Sequence, residues 1–193
     1  MDRAYYLEFI KARMGERRYI HSVNVAKSAV KLAKIYNADP EKAELAGILH
    51  DCCKEFEPKE MLQIITDGGI MLDETEKSSN KLWHSIAGSV YIRLKLGIED
   101  EDIINAVRYH TTGRARMSLL EKIIFTADFI GEERTYDGVD IMREKAERCL
   151  EEAMLFGLQF TISDLVRRKL PIHSGAIACY NDILTQLGEK EQL

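Results

Sequence analysis

Ala46-Gly47-Ile48-Leu49-His50-Asp51-Cys52-Cys53-Lys54 decides how this chain is read. An apolar run with helical periodicity ends here, and an imidazole and a carboxylate follow at once. A buried ionised carboxylate is costly unless it is paired, so Asp51 in these surroundings asks for a cation. Three further histidines, His21, His84 and His110, and one further aspartate, Asp128, fall on other segments that read as helices. The chain has five histidines, and four of them belong to this set. A lone histidine on an amphipathic helix is more often packed or solvated than a ligand. Together, however, these imidazoles and carboxylates can hold a pair of divalent transition metals. Side chains from facing helices that meet in a bundle core are the usual way helical proteins build such sites.

Outward from this stretch, apolar residues recur at helical spacing almost throughout, β-branched alternation is scarce, and only three prolines occur. From Arg17 to Tyr36 one face carries Ile20, Val23, Ala26, Val30 and Ala33, with Asn37 as a stop. Asp39-Pro40 offers an N-cap and a proline at the first helical position. It predicts a helix running to about Phe56, with His50 and Asp51 in its last turns. Pro58 starts a short helix that ends at Gly68-Gly69. Asp73 to Lys81 reads as a polar loop with one helical turn. Helices are expected over about Leu82 to Leu96, Asp100 to Tyr109 and Ser118 to Ile130. Ser118 and Glu121 stand in capping-box spacing. Gly131 to Gly138 is polar and turn-rich. A long helix from about Ile141 to Lys169 and a last one from about Ser174 to Leu187 close the chain. With no internal repeat or low-complexity linker, the expectation is one all-α domain, a helical bundle over residues 1–193.

The 193 residues are 46% hydrophobic and 31% charged, with a net charge of −5. A domain of this length buries roughly 70% of its unfolded surface. The acidic balance gives no whole-protein attraction for nucleic acid or an anionic membrane, so a phosphate ligand must be held by local charge. No apolar stretch approaches the ~20 residues of a membrane helix. Asp2, Arg3 and Glu8 interrupt any signal-peptide core. Four cysteines, two of them adjacent (Cys52 and Cys53), form neither a disulfide framework nor a zinc CxxC pattern. These features point to a reduced, cytoplasmic protein with no nucleic-acid or membrane partner.

Candidate cations stand near the histidines and aspartates. Lys54 follows Asp51 by three residues, and Arg17 and Arg18 precede His21 by one turn, with Arg18 the better placed. Arg114 follows the turn Thr111-Thr112-Gly113, whose hydroxyls and amides suit phosphate oxygens. Arg134 lies in the loop beyond Asp128. Trp83, the single tryptophan, could stack on a base or pack in the core. Cys52 and Cys53 read as buried packing.

Tyr19-Ile20-His21-Ser22-Val23, Leu49-His50-Asp51-Cys52-Cys53-Lys54, Leu82-Trp83-His84, His110-Thr111-Thr112-Gly113 and Thr126-Ala127-Asp128 together resemble the HD superfamily of metal-dependent phosphohydrolases. Within it they are similar to the YqeK-type bacterial hydrolases of diadenosine tetraphosphate. The resemblance covers about residues 15 to 180. It implies an HD-type helical fold and one metal on His21, His50, Asp51 and Asp128. A second metal would sit on His84 and His110, with Asp51 shared. It also implies iron, with manganese or cobalt compatible with the same ligands, and symmetrical cleavage to two ADP. Metals about 3.5–4 Å apart can hold a hydroxide and polarise a phosphoryl oxygen. His50, Asp51, Lys54 and Asp128 are the expected catalytic group. Arg18, Lys54, Trp83, Thr111, Thr112, Gly113, Arg114 and Arg134 are the expected nucleotide contacts. A homodimer is a further implication of the resemblance, as is a structural or capping role for the segment around His173. Other readings are an HD phosphohydrolase of mono- or triphosphates or of a guanosine alarmone, and a nucleotide sensor without turnover.

Overall fold

Short polar caps set where the helices begin. Asp39 accepts the amides of Glu41 and Lys42, and Asp100 accepts those of Asp102 and Ile103. Ser118 and Glu121 form a reciprocal capping box, so each satisfies an amide that the helix start leaves open. In this computed structural model, which describes residues 2–191 and the side chains of residues 2–188, the elements are all helical. In order they are α1 (Arg3–Lys11), α2 (Glu16–Ile35), α3 (Pro40–Leu49), α4 (Pro58–Asp67) and α5 (Glu74–Ser78). A 3-10 turn (Asn80–Leu82) leads into α6 (Trp83–Leu96), α7 (Glu101–Tyr109) and α8 (Leu119–Ile130). Then come α9 (Val139–Arg148), α10 (Leu150–Arg167) and α11 (Ser174–Glu191). None of the described helices is long and apolar enough to cross a membrane.

The core forms where α2 packs on α3 and α8, with α6 and α7 completing the layer. Ala26, Ala29, Leu32 and Ala33 of α2 meet Ala46, Ile48 and Leu49 of α3 and Ile123 and Ala127 of α8, all buried. Each buried Leu or Ile contributes about 1.5–3 kcal/mol. Gly47 allows the closest approach: a Cβ there would lie 2.6 Å from the Ala26 Cα. A smaller core of Met117, Phe125, Met154, Leu158, Cys179 and Ile183 ties α10 and α11 to α8.

Three features depart from the sequence expectation. The helix carrying the central motif ends at Leu49, not near Phe56, and His50 is its C-cap. Beyond it the amides of Cys52, Lys54 and Phe56 bond to Leu49, Asp51 and Cys53, three residues back, so the backbone tightens into successive turns. The long helix over 141–169 is two helices broken at Cys149, which is extended (φ −151, ψ 112). Met142, Ala146, Leu150 and Met154 continue at helical spacing across the break, which is why periodicity joins them. Finally, α1 occupies a segment that the sequence marked only as unsuited to a signal peptide.

Candidate metal centre

Five helices bring the imidazoles and carboxylates together. His21 sits in the second turn of α2, His50 and His110 cap α3 and α7, His84 opens α6, and Asp128 lies in the last turn of α8. All four imidazoles turn Nδ1 outward to an acceptor. His50 Nδ1 donates to the Gly47 carbonyl (2.7 Å), His84 Nδ1 to Lys81 (2.8 Å) and His110 Nδ1 to Val107 (2.8 Å). His21 Nδ1 instead donates to Glu133 Oε1 at 2.5 Å. An outward Nδ1–H leaves Nε2 with its lone pair, the tautomer a metal requires, and fixes the ring plane.

The four Nε2 atoms fall into two pairs. His21 and His50 Nε2 are 3.2 Å apart, and His84 and His110 Nε2 are also 3.2 Å apart. Asp128 Oδ1 lies 3.1 Å from His21 Nε2, and Asp51 Oδ2 lies 3.5 Å from His50 Nε2. The other oxygen of the same carboxylate, Asp51 Oδ1, lies 3.3 Å from His84 Nε2 and 3.5 Å from His110 Nε2. Ligands held at about 2.1 Å and at right angles stand about 3 Å apart, so each group has the spacing of donors that share one cation. Asp51 Oδ1 is buried and accepts no hydrogen bond. A bare carboxylate oxygen beside two imidazole lone pairs fits a positive ion. The donors are nitrogen and oxygen without thiolate, which suits divalent transition metals.

Charge around the centre is strongly organised. Burial would raise Asp51, but its interactions with His50, His110 and His84 outweigh it and hold the carboxyl well below the usual range. Asp128 is likewise lowered: burial would raise it, but its hydrogen bond with His21 and its interaction with His50 overcome burial. Burial pushes the His84 imidazole down to about 3. His21 goes the other way: burial lowers it, but Asp128 and then Glu133 raise it above the usual imidazole value. Arg18 Nη1 donates to Asp51 Oδ2 at 2.6 Å, and Arg134 Nη2 donates to Asp128 Oδ1 at 2.6 Å. Lys54 Nζ is 3.0 Å from His84 Nε2, and burial lowers its ammonium.

The remaining candidates divide into those at the centre and those beside it. Thr111 Oγ1 lies 3.1 Å from His84 Nε2 and 3.0 Å from His110 Nε2. Thr112 is buried, and its hydroxyl donates to the Gly113 carbonyl. Gly113 takes a left-handed φ of 67, and a Cβ there would meet Cys179 Sγ at 2.8 Å, so the turn docks tightly on α11. Arg114 is turned away, paired through Nε and Nη2 with both oxygens of Glu121 (2.7 and 2.8 Å). Trp83 is half-buried and donates Nε1–H to the Glu76 carbonyl at 2.7 Å. Cys52 and Cys53 are buried. His173 lies outside the cluster and accepts the Gly175 amide on Nδ1.

Sequence reasoning missed Glu133, which accepts from His21 Nδ1 and, through Oε2, from Asn24 Nδ2 at 2.8 Å. The only signal was the charged run Glu132-Glu133-Arg134 shortly after Asp128. Separations of 112 and 109 residues carry no periodicity.

The HD domain family model matches residues 18–131, a span that holds all six clustered residues. The chain belongs to the HD domain family. It is 40% identical over 186 residues to the symmetrical bis(5'-nucleosyl)-tetraphosphatase of Halalkalibacterium halodurans, covering 96% of this chain and 99% of that one. It is 38% identical over 181 residues to the symmetrical bis(5'-nucleosyl)-tetraphosphatase of Bacillus subtilis, covering 94% and 97%. A crystal structure from Clostridium acetobutylicum, described as a predicted HD superfamily hydrolase involved in NAD metabolism, superposes with a TM-score of 0.93. It is 37% identical and covers 96% of this chain and 98% of that one. The HD-domain fold and the helical bundle expected from the sequence are therefore this chain's fold.

Proposed function

We propose that this HD-domain protein is a metal-dependent phosphohydrolase that cleaves diadenosine tetraphosphate symmetrically into two ADP. One observation carries the metal reading: Asp51 presents Oδ2 to His21 and His50 and Oδ1 to His84 and His110. A single carboxylate thereby joins two ligand groups. His21, His50, Asp51 and Asp128 would hold one cation, and His84, His110 and Asp51 the other. Iron is the metal the family resemblance implies, and manganese and cobalt accept the same donors. Two such cations supply Lewis acidity and a water acidic enough to attack at neutral pH.

The chain's own residues do the rest. The outward Nδ1–H bonds lock the four imidazoles in the coordinating tautomer. Arg18, Arg134 and Lys54 converge on the carboxylates and on His84, where they would offset the charge of a tetraphosphate and of the departing ADP. Thr111 supplies a hydroxyl at the His84 end. Water adds to an inner phosphorus, the bond to the central bridging oxygen breaks, and each half leaves as ADP. The relatives named as symmetrical tetraphosphatases support that position of cleavage. Free cysteines and the lack of a membrane-crossing helix among the described residues accord with a cytoplasmic protein. A homodimer remains part of the proposal through the family resemblance.

An end-product assay on the iron-reconstituted protein tests this reading. ADP should be the sole product, and it should disappear in His50→Ala and Asp51→Ala. ATP plus AMP would overturn the cleavage point, and no turnover with two metals bound would overturn the reaction.

A further inference from the structure

The metal centre opens at both ends, and the two openings differ in chemistry. At the His21 end lies a cleft of about 570 Å³ lined by Arg17, Arg18, Glu55, Glu133, Arg134 and Tyr136. Charged groups dominate it. At the His84 end lies a pocket of about 460 Å³ between α5, the turn after α7, and the connection from α10 to α11. Its walls include Leu82, Leu165, Leu170, Pro171 and Ala176. Both volumes fall in the range of about 300–1,000 Å³ usual for small-molecule sites.

Lys54 and Thr111 belong to this second pocket and also reach His84 Nε2, at 3.0 and 3.1 Å. A ligand whose phosphates lie on the metals therefore has a direct path into the apolar space. Thr75, Ser78, Ser79 and Thr161 add hydroxyls to its lining, and Lys81 and Arg168 stand in it as cations beside Lys54. Apolar walls with a few hydroxyls suit a flat heteroaromatic base and its ribose. Leu170, 40% exposed, keeps apolar surface open beside the pocket. The connection that forms one wall carries His173, whose Nε2 stands 3.5 Å from Asp73 Oδ2 and 3.6 Å from Glu76 Oε1 and whose Nδ1 takes the Gly175 amide. The cleft at the opposite end offers arginines for phosphate, but no comparable apolar wall.

We infer that the α5–α10–α11 pocket holds one nucleoside of the substrate, whereas the arginine-lined cleft takes phosphates and leaves the second nucleoside largely unread. This inference rests on the nucleotide-hydrolase reading above. A symmetrical substrate is thus bound asymmetrically: the half in the pocket sets affinity, and the other half is tolerated. Dinucleotides that share one adenosine should then compete on nearly equal terms.

The test uses the full-length, metal-loaded protein with Leu165→Trp and Thr161→Phe, two α10 positions outside the metal cluster. Calorimetry measures ADP and, separately, inorganic pyrophosphate. Both variants should weaken ADP at least about tenfold and leave pyrophosphate within about twofold, because filling the pocket excludes the base and not the phosphates. Retained pyrophosphate affinity also shows that the variants are folded. Adenosine tetraphosphate should have a KM within about threefold of that of diadenosine tetraphosphate in the unsubstituted enzyme. Unchanged ADP affinity in both variants would overturn the pocket, and a KM for the single-nucleoside substrate more than about tenfold higher would overturn the asymmetry. Wrong products in the end-product assay, with ADP binding still sensitive to the variants, would strike the proposed reaction and leave the pocket standing.

Discussion

The two ends of the metal centre use the same imidazole but differ in what stands behind it. At the His84 end both rings donate Nδ1–H to carbonyls three residues back, so each ligand is oriented by its own helical turn. Asp51 Oδ1 is the carboxylate oxygen that stands within 3.5 Å of both their Nε2 atoms. At the His21 end Asp128 joins as a second carboxylate, and Glu133 takes the Nδ1–H from across the fold. Arg18 and Arg134 compensate that added negative charge. The His21 end is thus a site of paired charges assembled over long range, and the His84 end a site built locally around one carboxylate oxygen. A second carboxylate donor favours tighter cation binding, so the His84 end should exchange its metal more readily, next to the pocket inferred for the nucleoside.

Breaking the shared residue should remove the distinction altogether. Asp51→Ala takes a ligand from both ends, and turnover should fall by about 10³-fold or more in a steady-state assay. Glu133→Gln separates the ends: metal affinity at the His21 end should weaken about 10–100-fold while the His84 end is unchanged, read by competitive titration with a chelator. Equal weakening of both ends would erase the proposed division.

Gly47→Ala probes how the His21 end is assembled. The added Cβ would meet the Ala26 backbone, forcing α2 and α3 apart and with them His21 and His50. Chemical denaturation should show a loss of about 1–3 kcal/mol. The smallest effect is a proton count. Asp128 and Glu133 outweigh burial and raise His21, so a cation at that end displaces part of a proton near neutral pH. His84, pushed by burial to about 3, has none to lose in that range. Affinity at the His21 end should therefore fall as pH drops toward 6, and His84 should add nothing to the proton count there. Calorimetry in buffers of different ionisation enthalpy measures the difference.

This contrast also explains what the sequence could reveal. The all-α bundle was legible because amphipathic periodicity, the Asp39-Pro40 start and the Ser118-Glu121 box are local signals. The cluster of His21, His50, Asp51, His84, His110 and Asp128 was visible as a set because those residue types are conspicuous on apolar helices. Glu133 was not, since its pairing with His21 depends on how α2 meets the loop after α8. Nor was the turn at Cys149, where no glycine or proline breaks the pattern. Arg114 shows the opposite limit. Its sequence position suggested phosphate, yet Glu121, already committed to the Ser118 cap, holds its guanidinium.

Counting metals per chain tests the central claim most directly. Elemental analysis of the reconstituted protein should give two metals in the unsubstituted chain, one in His84→Ala and fewer than one in Asp51→Ala. Two metals retained by Asp51→Ala, or a single metal in the unsubstituted chain, would contradict a centre whose unequal halves are joined by that one carboxylate.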